Sequence, residues 1–197
     1  MPALWSKVAF PSLKPLAAWF QDYLRRIAFM HSWLTAGVPA CFWLPGFFFP
    51  QGFMTGVLQM HARRYCVAID SLNFEFNMTR LDAVEQVQAG PTDGIYVDGL
   101  WIDGARWNRD DALLDDALPG TMYAPLPIVH FNPVKDYEVP KGEYACPLYK
   151  TSQRAGVLST TGQSTNFVLY VSLAAKHGTS EDYWVLQGVA LLCMLDY

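Results

Sequence analysis

The sequence predicts an α+β fold, with N-terminal helices packed on a C-terminal antiparallel β-barrel of about six short strands. Three observations lead there. Apolar residues recur every 3.6 positions through the first third, the period drops to two after Asp70, and glycine and proline then cut the chain into short runs. The change of period divides one compact unit into a helical part, residues 1–70, and a barrel part, residues 71–197. A polypeptide of 197 residues can bury a core of that kind without disulfide or metal staples.

The first element is a helix over residues 13–36. Trp19, Phe20, Tyr23, Leu24, Ile27, Met30, Trp33 and Leu34 form its apolar stripe, Ser12 is the expected N-cap, and Gly37 and Pro39 stop it. At 1.5 Å per residue it would reach about 36 Å, enough to cross a small domain. A second helix starts at Pro50 or Gln51 and runs to the Arg63–Arg64 pair, whose charges suit a helix C-terminus. Between them lies FWLPGFFFPQGFMTG, an aromatic segment too broken for a membrane helix. It reads as a tight inter-helix connection whose aromatics fill the seam between helices and barrel; Phe47 to Phe49 are either sealed within the domain or reach a surface beyond it, and the first reading is preferred.

Beyond Asp70, residues 73–78 alternate as a strand, and residues 80–93 read as a polar loop with at most one helical turn. Residues 95–107 alternate again. Asp98-Gly99 and Asp103-Gly104 within that run offer either a hairpin turn or a bulge in one long strand. Asp110, Asp111, Asp115 and Asp116 read as a solvated helical turn capped by Asn108. Further strands are expected at 126–131, 144–149, 167–173 and 189–195.

Charge and motifs exclude several classes. A net charge of −4 and a pI near 5.5 argue against a nucleic-acid partner, and no polybasic run addresses a membrane. Lys7 and Pro15 interrupt any secretory leader. Cys41, Cys66, Cys146 and Cys193 form no CxxC and are expected as buried thiols of a reducing compartment, without metal. The Asn77-Met78-Thr79 sequon is then a coincidence. Phosphate-binding loop, dinucleotide fingerprint, zinc-protease and nucleophile-elbow motifs are all missing. The histidines stand singly, and His130 reads as a hydrogen-bonded core residue. Pairing Ser159 or Ser164 with a distant histidine has no warrant. Residues 151–166, rich in hydroxyls around Arg154, suit either an anion or carbohydrate cradle or a loop that satisfies its own backbone. The second reading is preferred.

Five ordered blocks carry a resemblance: FWLPGFFFPQGFMTGVLQMHARRY (42–65), VDGLWIDGARW (97–107), PIVHF (127–131), CPLYKTSQRAGVLSTTGQSTNFV (146–168) and DYWVLQGVALLCML (182–195), with SLKPL (12–16) ahead of them. Over essentially its whole length the sequence resembles the C-terminal domain of dynein heavy chains, the extension after the sixth AAA+ module. The wording of the blocks is closer to axonemal dyneins, of cilia and flagella, than to cytoplasmic ones.

The resemblance implies helices followed by a small barrel, seated against the AAA+ ring beside its first, fifth and sixth modules. It implies a non-catalytic regulatory or structural cap within the dynein complex, in the cytoplasm and cytoskeleton of an axoneme. ATP and magnesium would bind upstream modules, and microtubules would be met only through the whole motor. No catalytic, cofactor or metal residue is expected in this domain. Candidate ring or partner contacts are Trp19, Tyr23, Met30, Trp33 and Arg154. The alternative is a binding module for another axonemal component or tubulin.

Overall fold

The structure, a computed structural model, describes residues 3–10, 12–158, 162, 164–176 and 178–195, without the side chain of Ser6. A single helical turn, α1 (Ala3–Ser6), precedes the long helix α2 (Leu16–Ala36), whose 21 residues span about 31 Å. This helix starts at Leu16 instead of residue 13. Lys14 precedes a proline and is thereby pushed out of the helical region, so the extended Pro15 (φ −60°, ψ 157°) becomes the N-cap. Ser12 instead holds the approach, its Oγ accepting the Lys14 N–H at 3.2 Å.

Strand β1 (Cys41–Trp43) and a 3-10 turn over Leu44–Gly46 lead to α3 (Pro50–Tyr65), which begins at the expected proline. There follow β2 (Leu72–Met78), a 3-10 turn at Val84–Gln86, β3 (Ile95–Asp98), β4 (Trp101–Asp103), β5 (Ala105–Asn108), β6 (Leu113–Asp116) and β7 (Tyr123–Pro125). The remaining elements are β8 (Val129–Lys135), β9 (Glu143–Thr151), β10 (Phe167–Ala174), α4 (Glu181–Leu186) and β11 (Ala190–Met194).

The described residues thus hold eleven strands where about six were expected, and they do not close into a barrel. They form a four-stranded sheet ordered β1-β3-β8-β2, a five-stranded sheet ordered β10-β9-β11-β4-β7, and the two-stranded β5–β6 ribbon. Nor are all the pairings antiparallel, because β1 runs parallel to β3 and β11 parallel to β9. Pro133 and Pro147 sit inside β8 and β9 at positions beyond the ends of the β3 and β11 ladders. Each therefore has a strand neighbour on one side only, where a missing N–H is tolerated.

Three expectations are corrected by tertiary pairing. The run 95–107 is neither a hairpin nor one bulged strand: β3, β4 and β5 pair into three different sheets. Gly99, at φ +87°, carries the backbone from one sheet to the next, and a Cβ there would lie 2.8 Å from the Trp43 ring. The acidic cluster 110–116 is the turn and second strand of a hairpin, not a helical turn. Asn108 Oδ1 accepts the Asp110 N–H at 3.1 Å, and Arg106 pairs with Asp115 at 2.7 Å across the ribbon. Finally, the aromatic connection contributes a strand, since Cys41–Trp43 register against Tyr96–Asp98.

The main core cluster mixes Phe42, Leu44 and Met54 with Phe131, Leu148 and Leu191, and a smaller one gathers Phe10, Trp19 and Met194. In β3, β8 and β9 alternate residues are buried, whereas every residue of β11 is buried. Phe47 does turn inward, stacking on Phe53 at 4.0 Å. Phe48 and Phe49 do not: they are 52% and 65% exposed, correcting the expectation that all three are sealed. Cys41, Cys146 and Cys193 are buried free thiols, with burial pushing Cys41 and Cys193 up to about 12. Cys66 is exposed instead, because it is the left-handed cap of α3 (φ +53°).

Candidate functional site

The helix α2 carries an apolar arc too wide for a single contact. Its inner edge, Trp19, Arg26, Phe29 and Trp33, faces the rest of the domain. Trp33 meets Phe42 and Phe47 edge-on at 5.3 and 6.1 Å. Its outer edge, Leu16, Phe20, Leu24, Ile27 and Leu34, follows the same helical period about a third of a turn round and is exposed, Leu34 to 87%. That stripe runs the length of the helix. It continues into Trp5, Val8 and Phe48, which are exposed too. Contiguous apolar surface of this sort on one face is the mark of an interaction site.

The sequence-predicted contacts distribute over this surface unevenly. Trp19 is 5% exposed and lies between Phe10 and Tyr23, with ring centroids 5.2 and 5.5 Å away. Tyr23 is exposed beside it, while Met30 and Trp33 are half-buried. Arg154 stands elsewhere, its Nη1 on the Gly188 carbonyl at 2.6 Å and its Nη2 on Asp103 at 2.5 Å. The structure therefore gathers Trp19 and Tyr23 at one end of α2, leaves Met30 and Trp33 further along it, and sets Arg154 apart. Leu16, Leu24, Leu34 and Phe48 were not singled out from sequence. For the three leucines the signal was present in the helical wheel of α2, where they form a second apolar edge beside the tryptophans, whereas Phe48 lies in the connection to α3 and is brought to them only by the fold.

Three described side chains of the hydroxyl-rich segment 151–166 bond its own backbone. Ser164 Oγ accepts the Asn166 N–H at 3.1 Å, Thr165 Oγ1 accepts the Val157 N–H at 3.2 Å, and Asn166 donates to the Gln153 carbonyl at 2.6 Å. Ser159 and His177 lie outside the described residues. His130 Nε2 is 2.8 Å from the Asp93 carbonyl, as a hydrogen-bonded, half-buried strand residue should be. Asp98 is pushed up by burial, and Asp115 is held low by the Asp116 N–H, then by Lys176 and Arg106. Among the described residues no three ligating side chains are placed to hold a metal, and no helix is long and apolar enough to cross a membrane.

Fold and surface together define a mixed α+β domain with one bare apolar helix edge and most of its polar clusters tied internally. The protein belongs to the family formed by the C-terminal domain of dynein heavy chains: the family profile of that description matches residues 1–193. It is 46% identical to dynein axonemal heavy chain 6 of Homo sapiens, over 99% of this chain and 5% of the relative. It is 44% identical to dynein axonemal heavy chain 12 of Homo sapiens and 43% to dynein axonemal heavy chain 1 of Rattus norvegicus. Those two matches cover 100% of this chain and 6% and 4% of the relatives. The chain thus spans about a twentieth of the length of the relatives it matches.

Proposed function

We propose that this chain is a non-catalytic cap of an axonemal dynein motor, docking on the AAA+ ring through the outer edge of α2. The observation that carries the reading is the stripe Leu16–Phe20–Leu24–Ile27–Leu34, spread over about five turns, interrupted by the exposed His31 between Ile27 and Leu34, and uncovered by its own domain. A helix face of that length matches a body larger than the domain itself, and the family belongs to heavy chains of which this chain is a small part. By resemblance the docking body is the ring, near its first, fifth and sixth modules. The cap then acts by coupling: it binds one ring conformation better than another and so shifts the ATPase cycle that drives movement on microtubules. Location in the axoneme of a cilium or flagellum follows from the axonemal relatives.

The test replaces Leu24 and Ile27 by glutamine in the full heavy chain. Microtubule-stimulated ATPase and gliding velocity should both change by severalfold while the motor stays folded. Unchanged ATPase and gliding would sink the docking role. The alternative of a separate binding surface at residues 151–166 has less support, because Ser164 and Thr165 there already bond the segment's own backbone.

A further inference from the structure

Arg26 lies beneath the docking edge, only 2% exposed. Its Nη2 donates to the Met194 thioether at 3.0 Å, a weak acceptor, and its Nε and Nη1 are buried without any acceptor. The guanidinium is packed over the Phe10 ring at 3.8 Å, with Phe48 at 5.6 Å. Asp22, the acidic side chain whose field reaches it, is engaged by Lys14 at 2.9 Å. Burial lowers the Arg26 pKa to about 10, against the opposing pull of Asp22 and Cys193, so the group is still a cation at neutral pH. Such a charge is costly unless an anion answers it.

The space around it is cationic and small. Arg26 and Lys150 line one cavity of about 10 Å³, room for no more than one water, and among the described residues no carboxylate lines it. Phe10 and Phe48 form part of its wall and also border an outer groove of about 390 Å³ with Trp5, Trp19, Phe20 and Tyr23. Phe48 is half exposed and borders both spaces, so passage from the groove to Arg26 requires its ring to turn.

We infer that Arg26 is the receptor for a carboxylate, an Asp or Glu side chain borne on an otherwise apolar segment of the body that α2 docks against. The apolar neighbours of that residue sit in the outer groove, and its carboxylate supplies the acceptor that the buried nitrogens lack. The interaction is charge-assisted and shielded from water, so it selects an acidic residue over its amide. This inference rests on the docking reading and names the chemistry of the partner.

The probe is 4-phenylbutyrate against 4-phenylbutanamide, two molecules of one shape that differ in charge. Each is titrated at pH 7 into the 197-residue protein, with calorimetry and the Arg26 Nε–H resonance as readouts. The acid should shift that resonance and bind at least tenfold more tightly than the amide. Arg26→Met should abolish the preference and leave the melting temperature unchanged or higher, since an apolar side chain suits the aromatic box. Equal binding of the two probes overturns the inference. So does a preference that survives Arg26→Met, or a melting temperature that collapses in it while Arg26→Lys restores it. Asp196 follows Met194 by two positions and lies outside the described residues; a shift of the Arg26 resonance on Asp196→Asn alone would assign the carboxylate to this same polypeptide and also overturn the inference. The α2 substitutions leave Arg26 in place, so their failure in the motor and a failure here are separate results.

Discussion

At the scale of single residues, backbone and charge set two sharp constraints. Gly94 holds φ +73° at the entry to β3, and a Cβ there would stand 2.0 Å from the Phe131 carbonyl oxygen. Gly94→Ala should therefore cost on the order of 3 kcal/mol, seen as a lower urea midpoint with an unchanged slope. Asp115 offers a pH handle. The Asp116 N–H, Lys176 and Arg106 hold its carboxyl below the ordinary value, so its folded pKa lies under its unfolded one. Its contribution is present at neutral pH and is lost as pH falls through about 4 and below. Asp115→Asn should narrow the gap between urea midpoints at pH 7 and pH 3, and an unchanged gap would refute that role. His130 was readable at this scale as a hydrogen-bonded strand residue, whereas the Asp98-Gly99 and Asp103-Gly104 pairs were not, because long-range pairing sends β3, β4 and β5 to three different sheets. Nor was Arg26: its aromatic box draws on Phe10, Trp43 and Phe48, which are distant in sequence.

At the scale of elements, α2 and α3 differ in what they need from the rest of the molecule. The start of α3 is written locally, by Pro50 at its first position, and its exit by Arg63 and Arg64. The two edges of α2 are equally apolar, and only packing decides which one is covered. Because Leu24 and Ile27 lie on the bare edge, their joint replacement by glutamine should move the unfolding free energy of the isolated domain by less than about 0.5 kcal/mol. Any self-association seen by light scattering should fall at the same time. A large loss of stability would mean that the stripe is internal. The β5–β6 ribbon escaped sequence reading for a related reason. Its acidic residues suit an exposed helical turn equally well, and the partner that selects a strand, Arg106, comes from the other arm.

At the scale of the whole molecule, the last strand is central. Strand β11 sits between β9 and β4 and is buried at all five positions, so the C-terminal end of the sheet completes its middle. Truncation after Gly188 should abolish cooperative unfolding and leave a polypeptide that binds an apolar dye, whereas a sharp transition would show that the sheet closes without it. The sequence by itself determined the α+β class, the helix over most of 13–36, the start at Pro50, the change of period near Asp70 and membership of the family. These rest on local periodicity, on proline and glycine, and on long ordered blocks. Only the tertiary structure decided that the strands make two mixed sheets instead of a barrel, that the aromatic connection adds a parallel strand, and that α2 keeps one apolar edge bare above a buried arginine. Pairing and burial depend on residues that meet from far apart, and hydrophobicity records that a side chain seeks cover without recording which surface supplies it.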